Sequence, residues 1–170
     1  NDGVWPQPTG GNGRYDVNVA GNYTYSGTRT ITFTRLRIQT NATVTNKGTL
    51  QLTQTGNQAL TVNSGGSFIN GDGISTTTLI FTGYTDVVSL GGGGSSVDFS
   101  PVANTVVYSA PANQNIYPTT YHKLTCSSDN TASVNGSTVV NSLLTISGTT
   151  IVDVTGGTDL TGAGSLTMTG

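Results

Sequence analysis

The sequence is built from short apolar–polar–apolar segments that recur about every 8 to 10 residues, with Gly, Asn or Ser between them. Examples are Leu50-Gln51-Leu52, Leu60-Thr61-Val62 and Leu144-Thr145-Ile146. Alternation with a period of two is typical of a β-strand that buries one face. Glu is absent, other strong helix formers are scarce, and Thr and Val are abundant. The sequence therefore predicts an all-β fold without significant helix.

The composition also raises the alternative of a disordered chain. Gly, Thr, Ser and Asn make up about half of the residues, and only 8% are charged. However, 34% of the residues are hydrophobic, and they occur in regular bursts that a disordered segment would lack. With 170 residues, the chain is long enough to bury one continuous core. We therefore expect a single folded domain.

The spacing of the segments fits either a β-sandwich or a β-solenoid. The segments are very short, their separators resemble one another, and Leu, Val, Ile and Phe dominate the inward positions. These features favour a parallel β-solenoid, or β-helix, in which like side chains stack on successive coils. With about 20 residues per coil, we expect about 7 to 8 coils and a rod on the order of 35–40 Å long.

Domain boundaries follow from the turn-forming residues. Trp5-Pro6-Gln7-Pro8 and the glycine-rich run at 10–13 indicate a lead-in or cap over residues 1–26, followed by the solenoid over residues 27–170. The Gly91–Ser96 run resembles a linker, but similar strands on both sides favour a bulging loop. Because the chain starts without Met or a signal peptide, we expect it to be mature or excised from a longer protein.

The C-terminal part of the sequence resembles a known kind of repeat. Thr105–Ser109, Tyr117–Thr125 and Val139–Ile146 are similar to successive strands in large surface adhesins of gliding and biofilm-forming Gram-negative bacteria. The resemblance covers roughly 50 residues and departs from the repeat at Ser109, where glycine is commoner, and at Asn141-Ser142. It implies an extracellular β-solenoid segment of a surface or filament protein, without catalytic residues to transfer.

Candidate catalytic and metal-binding residues are few. Asn70-Gly71-Asp72-Gly73 resembles an element of β-helical polysaccharide hydrolases, but their adjacent Asp pair, Gly-His-Gly turn and Arg-x-Lys strand are absent. A turn explains this element more simply. His122 and Cys126 are the only His and Cys, so the chain alone cannot assemble a His/Cys zinc site or a disulfide. We therefore expect no enzyme activity, metal or cofactor.

Two groups of aromatic residues have alternative explanations. For Trp5 and Tyr15 we favour capping of an open solenoid end. Tyr108, Tyr117 and Tyr121 could form a platform that stacks on sugars, or they could pack in the core or a loop, which we favour. A carbohydrate-binding or polysaccharide-cleaving β-helix is therefore the alternative function.

Charge and hydropathy exclude several classes of partner. The formal net charge is −2, which gives no electrostatic basis for nucleic-acid binding. No apolar run reaches the roughly 18 residues that a membrane-spanning helix needs. Arg35 and Arg37 share an outward face and are predicted to be solvated. The low charge and the Thr, Ser and Asn content suggest an extracellular, secreted or cell-surface protein.

The last residues, from Gly164 to Gly170, continue the strand pattern without a helix, charge cluster or proline that could close the end. Leu166 and Met168 are therefore candidates for end-to-end assembly or capping. Satisfying this end requires either neighbouring repeats of a longer chain or a head-to-tail homopolymer. The sequence thus favours a structural or adhesive extracellular module, a subunit or segment of a cell-surface filament or adhesin that could stack end to end.

Overall fold

A computed structural model describes residues 15–56, 58–83, 85–154 and 159–169. These residues form twenty β-strands and no helix, which confirms the predicted all-β class. The strands are β1 (Asp16–Val19), β2 (Tyr23–Tyr25), β3 (Thr30–Phe33), β4 (Arg35–Ile38), β5 (Thr43–Asn46), β6 (Thr49–Leu52), β7 (Leu60–Asn63), β8 (Ser67–Asn70), β9 (Thr77–Phe81), β10 (Thr85–Asp86), β11 (Val88–Gly91), β12 (Ser96–Asp98), β13 (Asn104–Tyr108), β14 (Gln114–Ile116), β15 (Thr120–Cys126), β16 (Thr131–Val134), β17 (Thr138–Ser147), β18 (Ile151–Val154), β19 (Leu160–Thr161) and β20 (Ser165–Thr169).

The strands wind into a three-sided parallel β-solenoid of about seven coils, as predicted. Three consecutive strands, such as β1, β2 and β3, complete one coil, and each pairs with its counterpart on the next coil. The first side has the strand order β1-β4-β7-β11, and the second has the order β2-β5-β8-β12. The third side is a longer sheet with the order β3-β6-β9-β13-β15-β17, in which β17 pairs with both β19 and β20.

Two sides of the solenoid are continued by different strands after the fourth coil. On the first side, β10 directly precedes β11 and starts the sheet β10-β14-β16-β18. On the second side, a bridge between Phe99 and Tyr121 connects the sheet to the start of β15. The register of β15 against β17 shifts between Tyr121 and Lys123. At this bend β15 passes from the second side to the third, so one strand serves two sides.

The coils differ in length although their strands stay in register. Thr105 pairs with Lys123, 18 positions later, whereas Thr49 pairs with Thr78, 29 positions later. The connections between strands absorb the difference at the corners, where backbone groups can reach solvent. One such corner is the turn at 92–95 between β11 and β12, so the middle of the glycine-rich run at 91–96 is a loop within the solenoid, as predicted.

The core consists of inward side chains that stack in columns along the solenoid axis. In one column Leu50, Leu79, Val106 and Leu124 follow one another on consecutive coils, and none of them is exposed. Burial of each such side chain stabilises the fold by about 1.5–3 kcal/mol. Because every coil packs on the next one, this contribution repeats along the whole rod.

A ladder of buried amides supports the corner between the second and third sides. The Nδ2 of Asn46 donates to the Oδ1 of Asn70 at 2.7 Å, and the Nδ2 of Asn70 is 3.4 Å from the Oδ1 of Asn104. The three side chains are fully buried. They also bond backbone groups, as in the bond from the Gly48 N–H to the Oδ1 of Asn46. The ladder thus provides hydrogen-bond partners for backbone groups at the corner, where the chain has left one sheet and these groups lack a partner strand.

The first two strands lie within residues 1–26, the segment for which the sequence predicts a lead-in or cap of the solenoid. β1 and β2 pair in parallel with β4 and β5 of the next coil. The strands in this segment have the same alternating burial as later ones, with Val17 and Val19 turned toward the core. Residues 1–14 lie outside the described part of the chain.

Candidate functional site

The last described coil exposes apolar side chains that belong to the core columns. Leu166 and Met168 of β20 are 59% and 70% exposed. They pair in register with Leu144 and Ile146 of β17, which pair in turn with Leu124 and Cys126 of β15. Side chains in these columns are fully buried in the inner coils because another coil covers them. At β20 that cover is missing among the described residues.

An open cavity of about 300 Å³ lies beside this strand. Its apolar lining comes from Val140, Leu144, Leu160 and Leu166. Leu144 and Leu160 are half-buried and pack against the core, so the cavity is the uncovered end of the hydrophobic interior. Covering an apolar surface of this kind with another apolar surface lowers the free energy.

Two glycines allow the last coil to lie directly against β17. A Cβ atom at Gly162 would lie 1.9 Å from the carbonyl oxygen of Val140, and Gly162 has a φ of +151°. A Cβ atom at Gly164 would lie 2.5 Å from the carbonyl oxygen of Ser142. Both positions therefore require glycine, and the glycines bring β20 close enough to complete its hydrogen bonds.

At the opposite end of the solenoid, Tyr15 packs on the core and is half-buried. Its backbone N–H donates to the Oγ1 of Thr34, and its carbonyl oxygen accepts from the Thr34 N–H, both at 2.9 Å. Tyr15 thus lies at the first coil, where the sequence predicted a capping residue. Trp5, the other predicted capping residue, lies outside the described residues.

The tyrosines considered as a glycan platform occupy different environments. Tyr108 and Tyr121 are fully buried, so they present no ring surface to a ligand. Their rings continue an aromatic stack, with centroid distances of 5.4 Å from Phe81 to Tyr108 and 5.5 Å from Phe99 to Tyr121. Tyr117 is half-buried. Core packing, the alternative that the sequence favoured, therefore describes Tyr108 and Tyr121.

The hydroxyl groups of the buried pair form a short chain of hydrogen bonds. The Tyr121 hydroxyl donates to the Tyr117 carbonyl oxygen at 2.6 Å, so the Tyr108 hydroxyl donates to Tyr121 at 2.9 Å. The Tyr117 N–H in turn donates to the Tyr108 hydroxyl at 3.1 Å. Burial raises the pKa of both phenols. These polar groups are therefore satisfied inside the core and remain neutral.

Asp72, the carboxylate of the hydrolase-like element, closes a turn. Its Oδ1 accepts the backbone N–H groups of Ser75 and Ile74 at 2.7 and 2.9 Å. These two bonds hold the pKa of Asp72 well below its usual range, and the Lys47 ammonium at 3.2 Å from Oδ2 adds to the effect. The carboxylate of Asp72 is therefore ionised and already engaged by these partners, and its role is to stabilise the turn that the sequence predicted.

His122 and Cys126 lie on one strand but in unlike surroundings. His122 sits at the bend of β15 and is half-buried, and partial desolvation together with the charge of Lys123 lowers the pKa of its imidazole. Cys126 is fully buried, and burial raises the pKa of its thiol to about 12. Within the described ranges, no three His, Cys, Asp or Glu side chains come together to hold a metal ion.

Arg35 and Arg37 lie on the outward face of β4, as predicted from their alternation with the buried Leu36. The Nη1 of Arg35 lies 3.9 Å from the Oδ2 of Asp16 on the neighbouring strand β1. Both side chains are half-buried among those of adjacent coils. Four of the five Lys and Arg side chains in the described part of the chain lie in the first two coils.

Sequence reasoning missed the asparagine ladder and two residues of the exposed end. The signal for the ladder is Asn at the last position of two strands, Asn46 and Asn70, each followed by a glycine within two residues. Leu144 and Leu160 line the open cavity, but their alternation does not distinguish an end coil from an inner one. Only the stacking order of the coils identifies them as part of this surface.

Comparison with protein families, with curated proteins and with solved structures finds no match for this chain. Across the residues that the structure describes, there is no helix with the length and apolar character needed to cross a lipid bilayer.

Proposed function

We propose that this chain is a structural module of an extracellular filament or surface adhesin, and that another coil stacking on its exposed end continues the solenoid. The observation that carries this proposal is the exposure of Leu166 and Met168 at the end of columns whose inner members, such as Leu124 and Cys126, are fully buried. A strand edge beside an uncovered apolar surface is a template for a further strand. Assembly, or continuation by a neighbouring module, is therefore the function that this geometry supports best.

The outer surface is consistent with a structural role. Metal-ligand clusters are absent from the described residues, and Asp72, whose carboxyl pKa is held below its usual range, is engaged in its own turn. The alternative function is that of a carbohydrate-binding or polysaccharide-cleaving β-helix. It has less support, because Tyr108 and Tyr121, two of the three tyrosines considered for glycan contact, are buried. The resemblance to secreted adhesin repeats and the low content of charged residues support an extracellular location.

Negative-stain electron microscopy over a range of protein concentrations tests this proposal. We expect thin filaments whose length increases with concentration, because stacking is a bimolecular step. A variant with Leu166→Thr and Met168→Thr keeps β-forming residues but removes the apolar contact, so it should remain as short rods.

The matched control is Ile74→Thr. Ile74 is 86% exposed on the loop between β8 and β9, away from the last coil, so its replacement should leave filament formation unchanged. Short rods of the unmodified chain at every concentration would overturn the proposal. Equal loss of filaments in the control and the double variant would show that general surface hydrophobicity, and not the last coil, drives association.

A further inference from the structure

Charged side chains are segregated along the solenoid axis. The first two coils carry Arg29, Arg35, Arg37 and Lys47 against the single carboxylate of Asp16. The last three coils carry Asp129, Asp153 and Asp159 against the single ammonium of Lys123. The net charge of −2 therefore conceals a rod with a positive N-terminal end and a negative C-terminal end.

The two ends also match in the arrangement of one sheet. β3 and β20 are at opposite ends of the third side, and a continuous series of strand pairs connects them, with the register shift of β15 lying before Lys123 and outside this series. Following these pairs from coil to coil places Ile31 and Leu166 in one inward column. Thr32 and Thr167 lie in one outward column, and Thr30 and Ser165 lie in another. A β3 strand placed on β20 would therefore continue three columns without a change of register.

We propose that a second copy of this chain docks head to tail, with its β3 pairing in parallel with β20 so that Thr32 lies opposite Thr167. This inference rests on the proposed function and adds the partner, its polarity and its register. The junction is heterologous, so it leaves one free end of each kind and builds an open polymer. The occupant of the exposed apolar surface at Leu166 is then the first coil of the next copy.

The charge distribution selects this polarity over a symmetric junction. With coils ~4.8 Å apart, Asp153 and Asp159 of the last coil would be offset along the axis by one coil from Arg29 and by two coils from Arg37 of the next copy, an axial separation of roughly 5 to 10 Å. That separation is comparable to the Debye length of about 8 Å at physiological salt. A tail-to-tail contact would instead place the carboxylates of Asp153 and Asp159 against those of the other copy, where they repel.

Disulfide trapping with two single-cysteine variants tests the polarity and the register. Thr32→Cys and Thr167→Cys are prepared separately, mixed and oxidised, because opposed positions on neighbouring strands fall within disulfide range. We expect a mixed dimer, identified by mass spectrometry of the linked peptides, and little dimer from either variant alone. The native Cys126 does not compete because it is fully buried with a protonated thiol.

The matched control replaces Thr32→Cys by Thr125→Cys. Thr125 lies in the same outward column on an inner coil, where β17 of its own chain already occupies the neighbouring position. This control should give no mixed dimer with Thr167→Cys. Dimers formed by one variant alone would indicate a symmetric junction and would overturn the proposal.

Charge reversal provides an independent arm of the test. Asp153→Lys with Asp159→Lys, added to Thr167→Cys, should lower the yield of mixed dimer roughly threefold or more at low salt. A partner with Arg29→Glu and Arg37→Glu, added to Thr32→Cys, should restore the yield because opposite charges face each other again. An unchanged yield with the reversed tail would overturn the role assigned to charge.

The two proposals fail in different ways. Filaments seen by electron microscopy without the Thr32–Thr167 cross-link would overturn the head-to-tail register and leave the structural function standing. Dispersed rods together with no cross-link at any concentration would overturn both.

Discussion

The hydroxyl oxygens of Tyr108 and Tyr121 lie 2.9 Å apart on neighbouring coils and are hydrogen-bonded to each other in the fully buried core. Each phenol also contacts a backbone group of Tyr117, so two side chains and the backbone N–H and carbonyl of one residue form a closed polar unit inside apolar surroundings. Such a unit stabilises the fold only while every donor and acceptor in it has a partner.

Replacement of Tyr121→Phe should therefore lower the free energy of unfolding by about 1–3 kcal/mol. The change removes the donor to the Tyr117 carbonyl oxygen and the acceptor for the Tyr108 hydroxyl, and both groups stay buried. Urea denaturation followed by circular dichroism measures the loss. Tyr117→Phe is the control, since the unit uses only the backbone of Tyr117. Equal stability of Tyr121→Phe and the unmodified chain would contradict this prediction.

Stability should also decrease as the solution becomes alkaline. Burial raises the pKa of the Tyr108 and Tyr121 phenols, and it raises that of the Cys126 thiol to about 12. The unfolded chain releases these protons near its ordinary values, about 10 for Tyr and about 8.5 for Cys, while the folded chain retains them. The stabilisation is thus complete below about pH 8.5 and is lost as the pH rises further.

The free energy of unfolding measured in urea between pH 7 and pH 11 tests this dependence. The decrease should begin near the ordinary pKa of the thiol and steepen near that of the phenols. In Cys126→Ala the early part of the decrease should disappear, and the later part should remain. A free energy that stays constant up to pH 11 would be incompatible with ionisable groups buried as neutral species.

Asn70, the central residue of the asparagine ladder, should contribute more to the free energy of unfolding than a polar side chain at the surface does. Asn70→Ala removes the partner of Asn46 and of Asn104, so we expect a loss of about 2–3 kcal/mol. The control is Asn63→Ala, whose amide contacts Gln39 on the half-exposed outer face and whose replacement should cost about 0.5 kcal/mol. Thermal denaturation distinguishes the two, and similar melting temperatures would refute the structural role of the ladder.

Asp72 should make the fold sensitive to acid. Its pKa is held below the usual range in the folded state, so its stabilisation is present above about pH 4 and is lost as the pH falls through the folded value. Asp72→Asn should flatten the acid side of the stability profile. Lys47→Met should retain most of this acid sensitivity, because the backbone N–H groups of Ser75 and Ile74 contribute more than Lys47 to the lowered pKa of Asp72. A steeper change in Lys47→Met than in Asp72→Asn would reverse this ranking.

Much of the fold could be predicted because the alternation that specifies a strand is local. Leu50 and Leu52 flank a polar residue and are both buried, as their spacing requires. The Tyr side chains had two explanations because an inward and an outward aromatic residue give the same sequence signal until the neighbouring coil is known.

The sequence by itself determined the fold class, the parallel stacking of short strands and the inward faces of most strands, since each depends on residues close together in the chain. Only the tertiary structure decided which coils are neighbours. Paired residues are 18 to 29 positions apart, and the corner loops absorb the difference without a local signal of register. Coil stacking therefore decided that Asn46 meets Asn70, that Tyr108 meets Tyr121, and that the positive and negative charges lie at opposite ends of one rod.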